Sequence, residues 1–419
     1  MTKFVYDMTE AFIASTGKFP YYGIVRVVEE IACELYRIDP ELRFAIFSYA
    51  HDEFFELHPK LDENTGQVDL QVPKGIKLSH HLRRRFYTRK RLRDWLSPIA
   101  HSLIRITNRS RWSKAELSLK PLDMNGKTLI STGRPKHMVA ALDALDRANV
   151  TYEFIPLLHD MFPLHEFSPE SRKAFPLNFI GDNRYVIEKA LRIIAISKFT
   201  KMDIENFSRE GTLPPLPEIV TVPLVQQCRE GHEAPTEPIP NNPYILTVGS
   251  TLGRKNLEVV FDAMVLLQEQ GKFVPHLVLA GALRKRVVRR MQAAQYECIR
   301  SYLHVVPSPH QTDLERLYRN AMALVLPSRL EGWGLPAGEA LWCGTPAICS
   351  SIPVLHEVCG DLGLYFDPNQ PDELAAIVTR LHEDKEFATD IRGRIQSAAP
   401  TLRTWADVAS DVKRVYKRA

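Results

Sequence analysis

Short apolar runs alternate with longer amphipathic stretches through the second half of the chain. The apolar runs predict buried strands at Tyr244–Val248, His276–Ala280, Leu303–Val306, Ala323–Leu326 and Pro346–Cys349. Between them, helical periodicity predicts helices at Leu257–Gln270, Leu283–Glu297 and Gln311–Asn320. Strands that alternate with helices predict βαβ units, and therefore a parallel sheet covered on both faces.

The first half of the chain shows a similar but less regular pattern. Its apolar runs predict strands at Phe4–Asp7, Phe44–Tyr49, Thr128–Ser131, Phe154–Leu158, Ile193–Ile196 and Ile219–Val222. Helical periodicity is clearest at Gly23–Tyr36 and Met138–Arg147. The predicted fold class is α/β, with two Rossmann-like, doubly wound parallel-sheet domains that face a central cleft.

Turn-forming residues divide the chain, whose 419 residues exceed one ordinary hydrophobic core. Periodicity disappears in the polar, proline-rich stretch Cys228–Pro243, which we interpret as a linker. The expected domains are therefore residues 1–227 and 244–400. A last helical stretch, Trp405–Arg418, follows a break at Pro400, and residues 401–419 are expected to pack back on the first domain.

Composition is typical of a globular protein, with 45% hydrophobic and 25% charged residues. The net charge of +4 is too small to indicate a nucleic-acid partner, and no apolar run is long enough to span a bilayer. Charged residues near the N-terminus, such as Lys3 and Asp7, argue against a secretory signal. The expected location is cytoplasmic, with possible peripheral contact at the inner face of the plasma membrane.

The cysteines give no metal-binding pattern. None of the six forms a CxxC pair, no histidine cluster lies beside them at zinc-ligand spacing, and Asp-x-Asp does not occur. We therefore expect neither a metal nor another cofactor.

A basic segment, residues 80–114, interrupts the first domain. It has seven Arg or Lys residues and no acid between Arg83 and Arg93, interleaved with apolar and aromatic residues. This pattern favours contact with an anionic membrane surface through residues such as Arg84, Arg85 and Trp95. A solvated helix with some aromatic residues in the core remains an alternative, and nucleic-acid binding is a weaker third.

The clearest candidate for chemistry is Pro327–Pro346, which follows a predicted strand. Its glycines, among them Gly332 and Gly334, form a loop that enters a helix around Glu339, and the free N–H groups of a helix start can bind an anion. Two carboxylates, Glu331 and Glu339, bracket the loop. They are expected to accept hydrogen bonds from hydroxyl groups, one from a sugar and the other from a ribose.

A second loop, Thr247–Leu257, also follows a strand and precedes a helix. Arg254 and Lys255 lie where a bound diphosphate would need cations, and Gly249 lies just after the strand. Together the two cations could neutralise a departing nucleoside diphosphate without a metal ion.

These residues resemble glycosyltransferase family 4. The resemblance covers roughly Tyr244–Pro368 and is carried by the motifs Glu331-x7-Glu339, Gly253–Asn256 (GRKN), Cys343–Pro346 (CGTP) and Pro353–Gly360 (PVLHEVCG). It implies the GT-B fold, a nucleotide-sugar donor, retention of anomeric configuration and no metal requirement.

The resemblance also implies roles for individual residues of the second domain. Glu339 would bind the ribose and Glu331 the transferred sugar, while Arg254 and Lys255 would bind the diphosphate. Gly332, Gly334, Leu335 and Gly249 would line the donor. One departure is Gly338, where the family often has a bulkier apolar residue; we interpret this glycine as making the helix start less rigid.

In the first domain the resemblance rests on shorter elements. Gly23–Arg26 resembles the family's first glycine loop, near the donor phosphates or the acceptor. Leu158–Asp160 resembles its His-Asp element, which implies that His159 lies near the donor sugar, with Asp160 orienting His159 or capping local backbone. Ser197 belongs to the element Ile196–Phe199, which precedes the crossover between the domains.

The predicted function is a retaining, metal-independent transfer of a mannose-like hexose to a glycan or lipid-linked glycan. The resemblance extends to mannosyl- and rhamnosyltransferases of bacterial surface polysaccharides, such as lipopolysaccharide, and implies a GDP-linked donor, GDP-mannose above all. Two alternatives remain. One is a nucleotide-sugar epimerase on the same fold, and the other is a non-enzymatic protein that binds membrane or nucleic acid through the basic segment; for the transferase we expect no nucleic-acid partner.

Overall fold

The computed structural model describes residues 3–15, 23–76, 78, 91–165, 175–229, 231, 240–249, 252–282 and 285–418. Within it, the side chains of residues 91–98, 100, 101 and 175–177 are outside the description. By internal contacts the chain forms two compact units. The first contains the described residues up to Leu164, from 175 to Pro223 and from Trp405 onward; the second contains Leu224–Thr404 with His165.

The strands are numbered in chain order. Those of the first unit are β1 (Phe4–Asp7), β2 (Arg43–Ser48), β3 (Glu53–Leu57), β4 (Lys60–Leu61), β5 (Val68–Asp69), β6 (Lys127–Ser131), β7 (Tyr152–Leu158), β8 (Arg192–Ala195) and β9 (Glu218–Thr221). Those of the second unit are β10 (Tyr244–Val248), β11 (His276–Ala280), β12 (Leu303–Val306), β13 (Ala323–Leu326), β14 (Ala347–Ser350) and β15 (Gly363–Phe366).

The helices are numbered in the same way. They are α1 (Thr9–Ala14), α2 (Gly23–Ile38), α3 (Arg91–Lys114), α4 (Pro135–Arg147), α5 (Phe175–Lys189), α6 (Lys198–Arg209), α7 (Leu257–Glu269), α8 (Lys285–Met291), α9 (Gln311–Asn320), α10 (Leu335–Trp342), α11 (Pro353–Cys359), α12 (Pro371–Glu383), α13 (Lys385–Ala398) and α14 (Trp405–Lys417).

The sheet of the first unit has the strand order β3-β2-β1-β6-β7-β8-β9. All neighbours pair in parallel except β2 and β3, which are antiparallel at one edge. The central strands β1 and β6 are buried along almost their whole length, polar residues such as Asp7 and Ser131 included, as expected for a parallel sheet covered on both faces. The chain reverses its direction of winding between β1 and β6, which is where ligands bind in open α/β sheets.

The second unit repeats this architecture in a six-stranded sheet of order β12-β11-β10-β13-β14-β15, whose neighbours all pair in parallel. Numbered within the unit, the order is that of the doubly wound nucleotide-binding fold, with the reversal between β10 and β13. The predicted α/β class with two parallel-sheet, Rossmann-like domains is confirmed.

The last helix, α14, is part of the first unit although it follows the second unit in sequence. Trp405 and Tyr416 are fully buried, and the Tyr416 hydroxyl donates to Asp39 at 2.7 Å. Arg192 of β8 donates to the carbonyl of Val415 at 2.9 Å. At the other boundary, residues 224–227, which the sequence analysis assigned to the first domain, lie with the second unit, and the first unit ends at Pro223.

Candidate active site

Two loops of the second unit meet at the reversal point of its sheet. One follows β10 and carries Arg254 and Lys255; the other follows β13 and carries Glu331. Because β10 and β13 are hydrogen-bonded neighbours in parallel, their carboxyl ends lie side by side. The backbone N–H of Arg329 donates to the carbonyl of Arg254 at 2.8 Å, which joins the two loops directly.

The sequence Gly253–Asn256 forms a tight turn before α7. Gly253 has φ +77° and Asn256 has φ +51°, and both are residue types that adopt the left-handed region readily. The Asn256 amide donates to the carbonyl of Pro368 at 2.7 Å and so fixes the end of the turn. The turn directs the two cations between its ends, Arg254 and Lys255, toward the neighbouring loop.

Glu331 is the centre of a buried charged cluster. Arg254 Nη1 lies 2.9 Å from its carboxylate, and Lys255 Nζ lies 2.6 Å from it. Ser328 Oγ donates to the same carboxylate at 2.6 Å, and Arg254 also donates to the carbonyl of Leu330 at 2.7 Å. Two cations and one carboxylate give the cluster a net charge of +1.

The charges in this cluster decide the protonation state of Glu331. Burial on its own would raise the pKa of the carboxyl group, but Lys255 and Arg254 outweigh it and lower that pKa from 4.5 to about 2. Glu331 is therefore ionised at neutral pH, and it holds both cations in one position before any ligand arrives.

The structure thus brings Glu331, Arg254 and Lys255 together, as expected from the sequence, but in mutual contact. From the sequence, Glu331 is expected to bind sugar hydroxyls and the two cations a diphosphate. In the structure the carboxylate accepts from both cations, so its first partners are protein groups. The buried hydroxyl of Ser328, which the sequence analysis did not single out, is the third partner of that carboxylate.

Helix α10 begins at Leu335, earlier than the sequence analysis placed it. Gly334 precedes the helix in a left-handed conformation with φ +104°, and Gly332 lies two residues before it. Glu339 is in the second turn of the helix, is buried, and accepts a hydrogen bond from the Tyr318 hydroxyl at 2.7 Å. Tyr318 lies on α9, and sequence reasoning did not identify it.

The interpretation of Gly338 as a source of flexibility is corrected by its packing. A Cβ atom at this position would lie 2.8 Å from the Cα atom of Gln226, closer than real side chains approach backbone. Gln226 is held there because its side chain donates to the carbonyl of Val358 at 2.8 Å and accepts from the N–H of Arg403 at 2.7 Å. Gly338 therefore permits close packing of the segment that begins the second unit.

This packing gives a stability prediction. Replacing Gly338 by alanine should lower the free energy of unfolding by about 1–3 kcal/mol, because the backbone at Gln226 must move. Gly393→Ala is the matched control: Gly393 is also helical, on α13, and a Cβ there meets nothing within 4 Å in the described part of the chain, so this change should be neutral or stabilising. Thermal denaturation of the two variants measures the difference, and equal melting temperatures would contradict the argument.

The end of β10 supplies two further residues. Gly249, predicted to line the donor, has φ +77°, and among the described residues a Cβ there would meet nothing within 4 Å. Two residues earlier, Thr247 is buried, and its hydroxyl is without a hydrogen-bond partner among the described residues. Thr247 was missed as a candidate because a threonine in an apolar strand is usually a packing residue.

The carboxyl edge of the first unit's sheet carries His159, just after β7. Its Nε2–H donates to the carbonyl of Thr132 at 2.7 Å, which in the neutral ring leaves the lone pair on Nδ1. Burial lowers the pKa of His159 more than the Thr132 carbonyl and the Glu10 carboxylate raise it, so the ring is neutral at pH 7. Asp160 follows His159 directly and is half-buried, and its expected role of orienting this ring or capping local backbone stays a prediction.

A second buried ion pair lies at the reversal point of this sheet, between β1 and β6. The side chain of Glu10 is 2% exposed and accepts from the backbone N–H of Arg134 at 2.9 Å, while the Arg134 guanidinium lies 2.6 Å from the same carboxylate. His137 Nε2 lies 3.8 Å from Glu10, and its Nδ1 is 2.9 Å from the Tyr49 hydroxyl. Sequence reasoning missed this group, although an acid shortly after a buried strand was the available signal.

The remaining predicted residues of the first unit have simpler surroundings. Ser197 is buried and caps α6, where its hydroxyl accepts from the N–H of Thr200 at 2.8 Å. Gly23 is exposed at the start of α2, and Arg26 is half-buried one turn later. Arg84 and Arg85 lie outside the described residues. Trp95 belongs to α3, but its side chain is outside the description.

The described residues contain neither a cluster of metal-ligating side chains nor a membrane-spanning helix. In the described ranges, no group of three or more His, Cys, Asp or Glu side chains could hold a metal ion. Across the same part of the chain, every helix is too short or too polar to cross a membrane.

Comparison with known proteins gives a consistent assignment. Residues 230–397 match the family model described as glycosyl transferases group 1. The chain is 29% identical over 291 residues to O-antigen chain mannosyltransferase B of Escherichia coli, covering 65% of this chain and 71% of that protein. It is also 24% identical over 278 residues to the serotype-specific mannosyltransferase WbdA of Escherichia coli, but spans only 33% of that longer protein.

Solved structures share the fold at low identity. Sucrose-phosphate synthase from Thermosynechococcus elongatus superposes with a TM-score of 0.65 at 16% identity, covering 99% of this chain and 98% of the other. Anabaena Alr3699/HepE, in complex with UDP and glucose, gives a TM-score of 0.61 at 15% identity over all of both chains. The chain is a glycosyltransferase with the GT-B fold, and it resembles the mannosyltransferases of polysaccharide synthesis.

Proposed function

We propose that this glycosyltransferase moves a mannose-like hexose from a nucleoside-diphosphate sugar, GDP-mannose first among candidates, to a glycan or lipid-linked glycan acceptor. The observation that carries the proposal is the cluster of Arg254, Lys255 and Glu331 at the reversal point of the second sheet. Support for mannose and for a polysaccharide acceptor comes from the names of the Escherichia coli relatives, an O-antigen chain mannosyltransferase and a serotype-specific mannosyltransferase.

The cluster suits a diphosphate because its cations are fixed before the ligand binds. Groups that are already in position need little reorganisation, and therefore cost little free energy, when charge develops on a leaving phosphate. In our proposal Arg254 and Lys255 shift part of their contact from Glu331 to the donor diphosphate, and the loop at Gly334 and Leu335 lines the phosphate. Glu331 then accepts from hydroxyls of the transferred sugar, and Glu339 accepts from the ribose.

The proposed reaction needs no metal and retains the configuration at the sugar. The acceptor hydroxyl attacks the anomeric carbon on the face that the diphosphate leaves, and the departing phosphate takes the hydroxyl proton. The C–O bond to the diphosphate breaks as the new glycosidic bond forms, so atoms and charge balance. Neutral His159 is proposed to position the sugar with its Nδ1 lone pair.

A donor panel tests this proposal. GDP, UDP and their sugars are compared by thermal shift, and transfer is then measured on a mannan or O-antigen oligosaccharide in the presence of a chelator. We expect GDP and GDP-mannose to give the largest shifts, chelator-resistant transfer, and NMR evidence of a retained anomeric configuration. Conversion of the donor sugar without an acceptor would show that the protein is an epimerase and contradict the proposal. A preference for UDP-sugars would show that the donor is a UDP-sugar and not GDP-mannose.

A further inference from the structure

Helix α3 turns an apolar face toward solvent. Ile99, Leu103 and Ile106 are 57%, 60% and 65% exposed, and their i, i+4, i+7 spacing places them in one stripe along the helix. In the described part of the chain eight large apolar side chains are exposed, and these three share one helix while the others are scattered. Such a stripe is unusual for a helix on the surface of a globular domain, where the apolar side normally faces the core.

The opposite face of α3 is the one that packs on the first unit. Asn108 is fully buried and its amide approaches the carbonyl of Tyr49 at 3.4 Å. Arg105 lies 2.8 Å from Asp52, and Trp112 is buried against the ring of Phe55 at a centroid distance of 4.9 Å. These polar and aromatic contacts fix the rotation of the helix about its axis, and they therefore decide that the apolar stripe faces solvent.

The charges on this helix indicate which kind of partner fits the apolar stripe. Residues 99–114 contain three arginines and one lysine and no acidic residue. Arg111 and Lys114 are exposed, and helical spacing places Lys114 in line with Leu103, eleven residues before it, with Arg111 one turn before Lys114 on the adjoining face. A second copy of this chain would bring an equally positive face against the first, which disfavours self-association. A nucleic acid would match the charge but would leave the apolar stripe in water.

We propose that α3 lies in the surface of an anionic lipid bilayer, with Ile99, Leu103 and Ile106 inserted among the acyl chains. Arg111 and Lys114 contact lipid phosphates beside the stripe, since long basic side chains reach the headgroup layer from a helix in this position. The first unit is therefore held at the membrane by one face of one helix. This inference is independent of the sugar and the donor.

The test uses the full chain and vesicle co-sedimentation. Wild-type protein should bind vesicles of phosphatidylglycerol and phosphatidylcholine, and bind vesicles of phosphatidylcholine alone much more weakly. Each of these three side chains is expected to contribute up to about tenfold to the affinity for the anionic vesicles. The triple variant Ile99→Ser, Leu103→Ser, Ile106→Ser should therefore bind them at least about a hundredfold less tightly. The variant Arg111→Gln, Lys114→Gln should weaken the same binding by about tenfold, and high salt should have a similar effect.

A matched control separates the stripe from exposed apolar surface in general. Leu191 and Met202 are 43% and 45% exposed elsewhere on the first unit, and their replacement by serine should leave vesicle binding unchanged. Should the triple variant fail to fold, Leu103→Ser alone should still weaken binding by about tenfold. The proposal is overturned by wild-type-like vesicle binding of the triple variant, by no binding of the wild type, or by a wild-type dimer that the triple variant dissociates.

Discussion

Replacing Lys255 by alanine is expected to lower kcat/KM for glycosyl transfer by about a hundredfold to a thousandfold, with the protein still folded. The reason is that Lys255 supplies one of the two fixed cations that we propose for the leaving diphosphate, and removing one such group costs this much in comparable sites. Folding should survive because Glu331 keeps Arg254 at 2.9 Å and Ser328 at 2.6 Å. Initial-rate kinetics with the donor that the panel identifies is the measurement.

Two comparisons make this result specific. Lys272→Ala removes an exposed lysine of the same unit and should leave transfer unchanged. Combining Lys255→Ala with Glu331→Gln then distinguishes a direct role from an indirect one. If Lys255 acts only by holding Glu331, its loss should have no further effect in the Glu331→Gln background. Full turnover of the Lys255→Ala single variant would remove the cluster from the mechanism.

The second large effect is expected from Glu331→Gln. The cluster then changes its net charge from +1 to +2, so a nucleoside diphosphate should bind as tightly as before or up to about tenfold more tightly. Transfer should nevertheless fall by about a hundredfold in kcat, because the neutral amide accepts more weakly from the sugar hydroxyls and one of the two acceptor oxygens becomes an NH₂ donor. Isothermal titration with the diphosphate and steady-state kinetics separate the two quantities, and Glu297→Gln, an exposed glutamate of the same unit, is the control.

The same variant has an expected signature in acid. The pKa of Glu331 is lowered from 4.5 to about 2 in the folded protein, so its stabilising contribution is fully present above pH 4.5. As the pH falls from 4.5 to 2, the unfolded chain takes up a proton first and that contribution is lost. Melting temperatures of the wild type should therefore fall more steeply than those of Glu331→Gln across this window. Parallel curves would show that the ion cluster does not set the pKa as described.

Much of the second unit follows from its sequence because its strands are continuous apolar runs ended by turn residues. The strands Tyr244–Val248, His276–Ala280, Leu303–Val306 and Ala323–Leu326 have the predicted bounds. The strand Gly363–Phe366 was missed because it is a half-buried edge strand that begins with glycine. In the first unit, Glu53–Leu57 was missed for a similar reason, since this antiparallel edge strand has acidic residues within it.

One predicted helix of the second unit is divided in the structure. The apolar periodicity of Leu283–Glu297 predicts a single helix, but α8 ends at Met291 and a 3₁₀ segment, Ala294–Tyr302, follows. Ala293 adopts an extended conformation with φ −64° and ψ 143°, which interrupts the helical path. Burial of Tyr296 and Ile299 favours the new direction.

For the candidate site, the sequence gives the loops but not the contacts within them. Arg254, Lys255 and Glu331 could each be placed after a strand from the pattern alone. Their mutual contact depends on β10 and β13 being neighbours in the sheet, which is decided by the crossover and not by any local signal. The pair of Glu10 and Arg134 was missed for the same reason, because its members are 124 residues apart and meet through the pairing of β1 and β6.

The position of α14 has a consequence for biosynthesis. Trp405 and Tyr416 complete the core of the first unit, yet they are made after the entire second unit. Domains generally fold as units while the ribosome is still elongating the chain. Because α14 packs on α2, the first unit keeps an uncovered apolar surface along α2 until α14 has been synthesised. The second unit is synthesised completely before α14, so it can reach its native state earlier than the first unit. The two units are thus expected to reach their native states in the reverse of their order of synthesis, and the first unit is completed only when α14 has emerged from the ribosome.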